Sequence, residues 1–195
     1  MTKLPKPIQK IIGQLRKFPG VGSKTAERYA FELLEWDPSI IEQLSSSLRN
    51  LQKEVQPCST CNCLKTEDEC EFCSEGKRET DTLCLVSSPK DIYPIEEMRS
   101  FKGLYHVLEA LFSPLDGNNI EKIDLSKIKK RIELHQIKDV ILALDSTLEG
   151  DATALYLKEE MKAWNVSISR LAFGIPLGSS FEYVDPGTLA RAFLG

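Results

Sequence analysis

No run of apolar residues in this 195-residue chain approaches the roughly 18 to 20 needed to cross a bilayer, so no membrane-spanning helix is expected. The opening stretch, MTKLPKPIQKII, lacks an uninterrupted apolar segment and a small-residue cleavage site. A secretory leader is therefore not expected, and the chain is placed in the cytoplasm. Internal repeats and low-complexity tracts are absent as well, which sets aside solenoids and disordered linkers. A complete P-loop is missing. Gly-Val-Gly-Ser-Lys-Thr at 20–25 comes close, but Phe18 and Ser23 stand where that motif needs glycine, and a helical pattern rather than a strand precedes it. Nucleotide binding by this loop is excluded. An overall excess of positive charge is lacking too: the net charge of −4, taken alone, speaks against a nucleic-acid partner.

The residues that are present revise that last point. Residues 1–28 carry Lys3, Lys6, Lys10, Arg16, Lys17, Lys24 and Arg28 against one acid, Glu27, so a segment of +6 is joined to a remainder of −10. Salt screening makes local charge matter more than the total, so a basic end on an acidic body suits a phosphate-binding surface. A solvated lysine-rich helix is the plain alternative. Hydrophobic residues at 42% and charged residues at 28% are ordinary for a globular protein with one core and small appendages.

Residues 8–50 show helical periodicity. Ile8, Ile11, Ile12 and Leu15 share one face, Phe18-Pro19-Gly20-Val21-Gly22 breaks the run, and Ala26, Tyr29, Ala30, Leu33 and Leu34 resume it. Asp37-Pro38-Ser39 ends that helix, and Ser39 is expected to cap a third. In the break, Gly20 and Gly22 allow backbone angles and close approaches that a Cβ forbids. Ser23 is expected to cap the second helix, whose free amides point outward beside Lys24 and Arg28. Amides, helix dipole and two cations make a site that grips phosphate backbone without reading sequence. This is the helix-hairpin-helix pattern. A plain helix–helix turn is the bland reading, and a lone copy would bind DNA weakly unless oligomerisation added avidity.

Six cysteines occur, four of them as C-x2-C-x8-C-x2-C: Cys58, Cys61, Cys70 and Cys73. Two such turns supply a tetrahedral shell of thiolates, and a segment this short and polar cannot bury a core without a metal. One structural zinc per chain is expected, with no open position for catalysis. Disulfides are disfavoured in a reducing cytoplasm. Cys63 could displace Cys61, but the symmetric spacing favours Cys61, and Cys84 reads as a small core residue in a strand.

From Thr82 the pattern alternates between strand and helix. Leu83–Ser87, Val140–Leu144 and Val166–Ala172 read as strands, and Leu125–Ile137 and Glu149–Trp164 as helices. Leu104–Leu111 is ambiguous, a helix follows Pro89, and 113–117 is a turn. The fold class is thus α/β with a mostly parallel sheet. Asp145, Glu149 and Asp151 follow the strand in the 140s, at the functional edge of such sheets, where acids can hold magnesium or simply favour a helix N-terminus.

Leu83–Glu96 and Leu142–Ala154 resemble the two halves of a Toprim domain. A catalytic Toprim has a Glu closing its first strand and Asp-x-Asp closing the later one. Here Ser87 replaces the Glu, Asp145 matches the first Asp, and Thr147 replaces the second. The resemblance therefore implies a non-catalytic Toprim, and no enzyme. A small magnesium-dependent nuclease or topoisomerase-like enzyme using Asp145, Glu149 and Asp151 is the alternative.

The order of hairpin, four-cysteine clip and Toprim resembles the RecR family of bacterial recombination mediators over essentially the whole chain. The matching pieces include FPGVGSKTAER at 18–28, SPKDIY at 88–93, SPLDG at 113–117, RLAFGIPLG at 170–178 and EYVD at 182–185. The last is sometimes likened to a Walker B element, but without a P-loop it makes no case for ATP hydrolysis. The resemblance implies a bacterial, nucleoid-associated protein of DNA repair that forms dimers or ring-like tetramers on DNA. It implies joint action with RecO and RecF to load recombinase on gapped or single strands. Lys24 and Arg28 would contact DNA, and Asp145, Glu149 and Asp151 would contact RecO. Departures are Ser87 for the usual Glu and Phe173 for the frequent His. Four regions are expected: 1–54 for DNA binding and oligomerisation, 55–78 for zinc, 79–174 for Toprim and 175–195 as an oligomer contact.

Overall fold

The computed structural model describes residues 4–66, 69–73, 76, 78–113, 123–172 and 174–194. Most of the turn expected at 113–117 and the departure at Phe173 lie outside them. The chain divides into two compact units, Met1–Glu54 and Val55–Gly195.

The first unit holds α1 (Lys6–Leu15), α2 (Ser23–Glu35) and α3 (Pro38–Glu54). Two helix starts differ from the expected ones in a consistent way. Gly22, extended at φ −79° and ψ 174°, is the N-cap of α2, and Ser23 is already helical with no capping bond. Likewise Asp37, not Ser39, caps α3: its Oδ1 accepts from the Ser39 amide at 2.8 Å and the Ser39 hydroxyl at 2.6 Å. Pro38 is the reason, because its fixed φ and missing N–H suit the first helical position and push the cap ahead of it. Among the described residues of α1–α3 only Ala26 and Ala30 are buried, while Phe18 and Leu48 remain 59% and 60% exposed. The apolar stripes instead line an open groove of about 550 Å³ between Leu15, Phe18, Leu33, Ile41, Leu44 and Leu48.

The second unit is built on a four-stranded parallel sheet. After the short antiparallel pair β1 (Gln56–Pro57) and β2 (Leu64–Lys65) come β3 (Thr82–Val86), β4 (Leu104–Val107), β5 (Asp139–Ala143) and β6 (Ser167–Arg170), in the order β4-β3-β5-β6. The ambiguous segment from Leu104 resolves as a strand, since Leu104 to Val107 are all buried and pair with Leu83 to Val86. Helices α4 (Ile92–Glu97), α5 (Leu125–His135), α6 (Leu148–Glu160) and α7 (Pro186–Leu194) complete the unit.

Because side chains alternate across a strand, β3 feeds two cores. Leu83 and Leu85 join Ile128 and Ile132 of α5, Val140 and Leu142 of β5, Leu157 of α6, and Met161 just beyond it. Cys84 and Val86 face the other way, toward Ile92, Tyr105, Val107 and the cysteine segment. Cys84 is the core residue its setting suggested, and burial pushes its thiol up to about 12. Arg78, leaving the cysteine segment, anchors this second core. Its guanidinium bonds both Glu96 oxygens (2.6 and 3.2 Å) and the Gly103 carbonyl (2.6 Å), and stacks 5.0 Å over the Tyr105 ring.

Candidate metal centre and nucleic-acid interface

The turn at 58–63 is closed by its own backbone, the Cys58 amide on the Cys63 carbonyl (2.7 Å) and the Asn62 amide on the Cys58 carbonyl (2.8 Å). Asn62 adopts the left-handed conformation at φ 59°, which asparagine tolerates. This tight turn brings Cys58 and Cys61 to one side, where Cys70 and Cys73 meet them. All four sulfurs lie within 4.8 Å of one another. Cys61–Cys70 and Cys58–Cys73 are 3.5 and 3.6 Å apart, too far for disulfides. A tetrahedron with zinc–sulfur bonds of about 2.3 Å has sulfurs about 3.8 Å apart, so these positions fit one metal ion. Among the described residues no other group of three or more His, Cys, Asp or Glu converges in this way.

Such crowding cannot ionise evenly without a cation. Hydrogen bonding from Cys61 first, then Cys63, holds the Cys70 thiol well below its usual range. The bond with Cys63 pushes Cys61 up, and the bond with Cys61 pushes Cys73 up. Cys63 is fully buried but its sulfur lies outside the four, 3.7 Å from the Cys61 carbonyl. The cluster is fastened to the sheet by β4, whose Val107 amide donates to the Cys61 carbonyl (2.9 Å) while Asn62 Nδ2 donates back to the Val107 carbonyl (3.1 Å).

In the first unit, Gly20 takes φ 76°, where a Cβ would be strained, and Cβ atoms built on Gly20 or Gly22 meet nothing within 4 Å. The hairpin face is open. Gly20, Gly22, Ser23, Lys24 and Arg28 are all exposed, and α2 begins with no side-chain acceptor on its first amides. The Arg28 guanidinium stacks 5.5 Å over Tyr29.

The acidic edge is organised differently from a metal site. Ser87 donates to Asp91 at 2.8 Å, and Thr147 caps α6 by accepting from the Gly150 amide at 3.1 Å. Gly150 is forced here, since a Cβ would stand 2.0 Å from the Asp145 carbonyl oxygen. Asp145 is exposed and Glu149 half-buried in the first turn of α6. Asp151 is engaged on both oxygens, by Arg170 at 2.6 Å and by Arg191 of α7 at 2.8 Å. Burial alone would raise its carboxyl, but the two arginines outweigh it and hold it below the usual range. Asp185 of the EYVD stretch accepts from the Thr188 amide at 3.0 Å and so starts α7. Sequence reading missed Arg170 and Arg191. Arg170 opens the matching RLAFGIPLG stretch and Arg191 lies in no motif, and the role of both depends on chain segments 19 and 40 residues from Asp151.

Family models match this chain at residues 8–51 (RecR, helix-hairpin-helix), 81–172 (Toprim domain) and 174–195 (RecR, C-terminal). Proteins named Recombination protein RecR from Protochlamydia amoebophila, Chlamydia caviae and Chlamydia felis are 48%, 51% and 52% identical, covering 99–100% of this chain and 98% of each relative. About half of all positions match across whole chains, so this chain belongs to the RecR family, with a recombination-mediator role in DNA repair.

Proposed function

We propose that the protein is a non-enzymatic, sequence-independent DNA clamp that works with RecO and RecF to load recombinase on gapped or single-stranded DNA. The observation that carries this reading is the open start of α2, where exposed Lys24 and Arg28 flank uncapped amides beside two glycines with free space above them. Phosphate can approach there closely, and both the helix dipole and the cations favour it. Oligomerisation through 1–54 and 175–195 is supported by the incompletely covered groove of α1–α3. It is also supported by the apolar exposure of Leu177, Phe181, Tyr183 and Phe193. Zinc at Cys58, Cys61, Cys70 and Cys73 serves architecture in 55–78, with Toprim occupying 79–174. In the reading of Asp145, Glu149 and Asp151 as the RecO contact, Asp145 is the accessible member, while Asp151 would first have to exchange an arginine. Work in the bacterial cytoplasm, on the nucleoid, follows from a DNA substrate, and no helix among the described residues is long and apolar enough to cross a membrane.

Anisotropy titrations of fluorescent single-stranded DNA over a range of salt test the interface. Lys24→Ala and Arg28→Ala should each weaken binding and lower the salt slope by about one. An unchanged slope in both variants would reduce the hairpin to a protein contact. Supercoiled DNA incubated with magnesium should stay intact.

A further inference from the structure

Arg131, on the inward face of α5, is 3% exposed, yet among the described residues it has no carboxylate partner. Its Nη1 donates to the Tyr105 carbonyl at 2.6 Å and meets His106 Nδ1 at 3.3 Å, while Nε and Nη2 are buried without hydrogen-bond partners among the described residues. A carbonyl and an imidazole supply no negative charge. A buried guanidinium left so is costly unless an anion lies near it. Tyr105 and Val107, two residues apart, turn the same edge of β4 outward, because backbone groups alternate along a strand. Arg131 takes the Tyr105 carbonyl on that edge, and the Cys61 carbonyl takes the Val107 amide on it. The guanidinium and the cysteine turn therefore lie side by side along one strand.

Four thiolates around a divalent zinc leave the centre at −2. We propose that Arg131 is the buried counter-charge of this metal centre, a positioning residue that lowers the cost of holding four ionised sulfurs at the edge of the sheet. The inference rests on the metal reading of the cysteine cluster. It explains why an arginine occupies the apolar stripe of α5 between Ile128 and Ile132, where leucine would fit a plain core. It also explains why, among the described residues, the guanidinium has no carboxylate: a protein anion in that place would compete with the centre.

Chelator competition on the zinc-loaded full chain tests it, with Arg131→Met and Arg131→Lys beside the wild type. Zinc affinity should fall about 10- to 100-fold in Arg131→Met, the size usual for groups around a metal's ligands, and Arg131→Lys should fall less because it keeps the charge. Cobalt substitution should still give a tetrahedral thiolate spectrum in each protein, showing that the ligands are intact. After chelation the sign should reverse: Arg131→Met should melt at or above the wild type, since an unpaired buried charge has gone. Equal zinc affinity in Arg131→Met, equal losses in Met and Lys, or the same destabilisation with and without zinc would each overturn the inference. A wild-type protein that binds no stoichiometric metal would instead overturn the metal reading on which it rests.

Discussion

His106 shows how one buried residue can set a pH dependence. It is 2% exposed, and burial first, then the Arg131 charge, lowers its pKa from 6.5 to about 4. A base with a depressed pKa binds fewer protons folded than unfolded, so its neutral form stabilises the fold above pH 6.5. That stability is lost as pH falls toward 4, up to roughly 3 kcal/mol in all. Urea unfolding followed from pH 7 to pH 4.5 should therefore show a steeper decline in wild type than in His106→Gln. Parallel declines would mean that His106 titrates normally. Nothing in the chain's local pattern hints at this, since only tertiary burial distinguishes His106 from the half-buried His135.

At the scale of elements, the contact between α6 and α7 is the feature most open to test. Arg191 bonds Asp151 at 2.8 Å and Ser146 at 2.8 Å, tying the last helix to the loop at the acidic edge. The Arg191 side chain is 45% exposed, so solvent screening limits its worth to about 1 kcal/mol or less. Global stability should thus hardly change in Arg191→Ala, while amide exchange within Pro186–Leu194 should quicken. Unchanged exchange there would show that α7 is held by other contacts. Since Asp151 is depressed, the tie persists above a carboxylate's ordinary pKa and loosens only as pH drops below about 4. Helix starts were only partly legible. Serines after a break suggested caps at Ser23 and Ser39, but the backbone placed the caps one and two residues earlier, at Gly22 and Asp37. Cap chemistry could be read from residue types; its exact register depended on where the helical angles began.

For the molecule as a whole, the cysteine cluster is part of the sheet's own core. Cys58, Cys61, Cys63 and Cys70 pack with Val86, Ile92, Tyr105 and Val107, so a metal held there would close one face of the second unit as well as its own loop. Metal removal should therefore lower the melting temperature of the 55–195 unit, and exchange should rise at the Val107 amide that Cys61 holds. Calorimetry with and without chelator checks this. Identical melting would confine the metal's effect to the loop.

The three-part order, the four cysteines with their spacing, the two hairpin glycines and the parallel α/β pattern can all be read from the chain alone. Each of these is a local signal, carried by neighbours in the chain and by the period of apolar residues. Packing was needed to establish that Asp151 is neutralised by Arg170 and Arg191, that Leu104 begins a strand, and that Arg131 lies beside the cysteine turn. Those outcomes join residues far apart in the chain, and burial, not sequence pattern, dictates which charge meets which. The four sulfurs lie between the two cases: spacing picked out the four cysteines, and the edge of β4 supplied their surroundings.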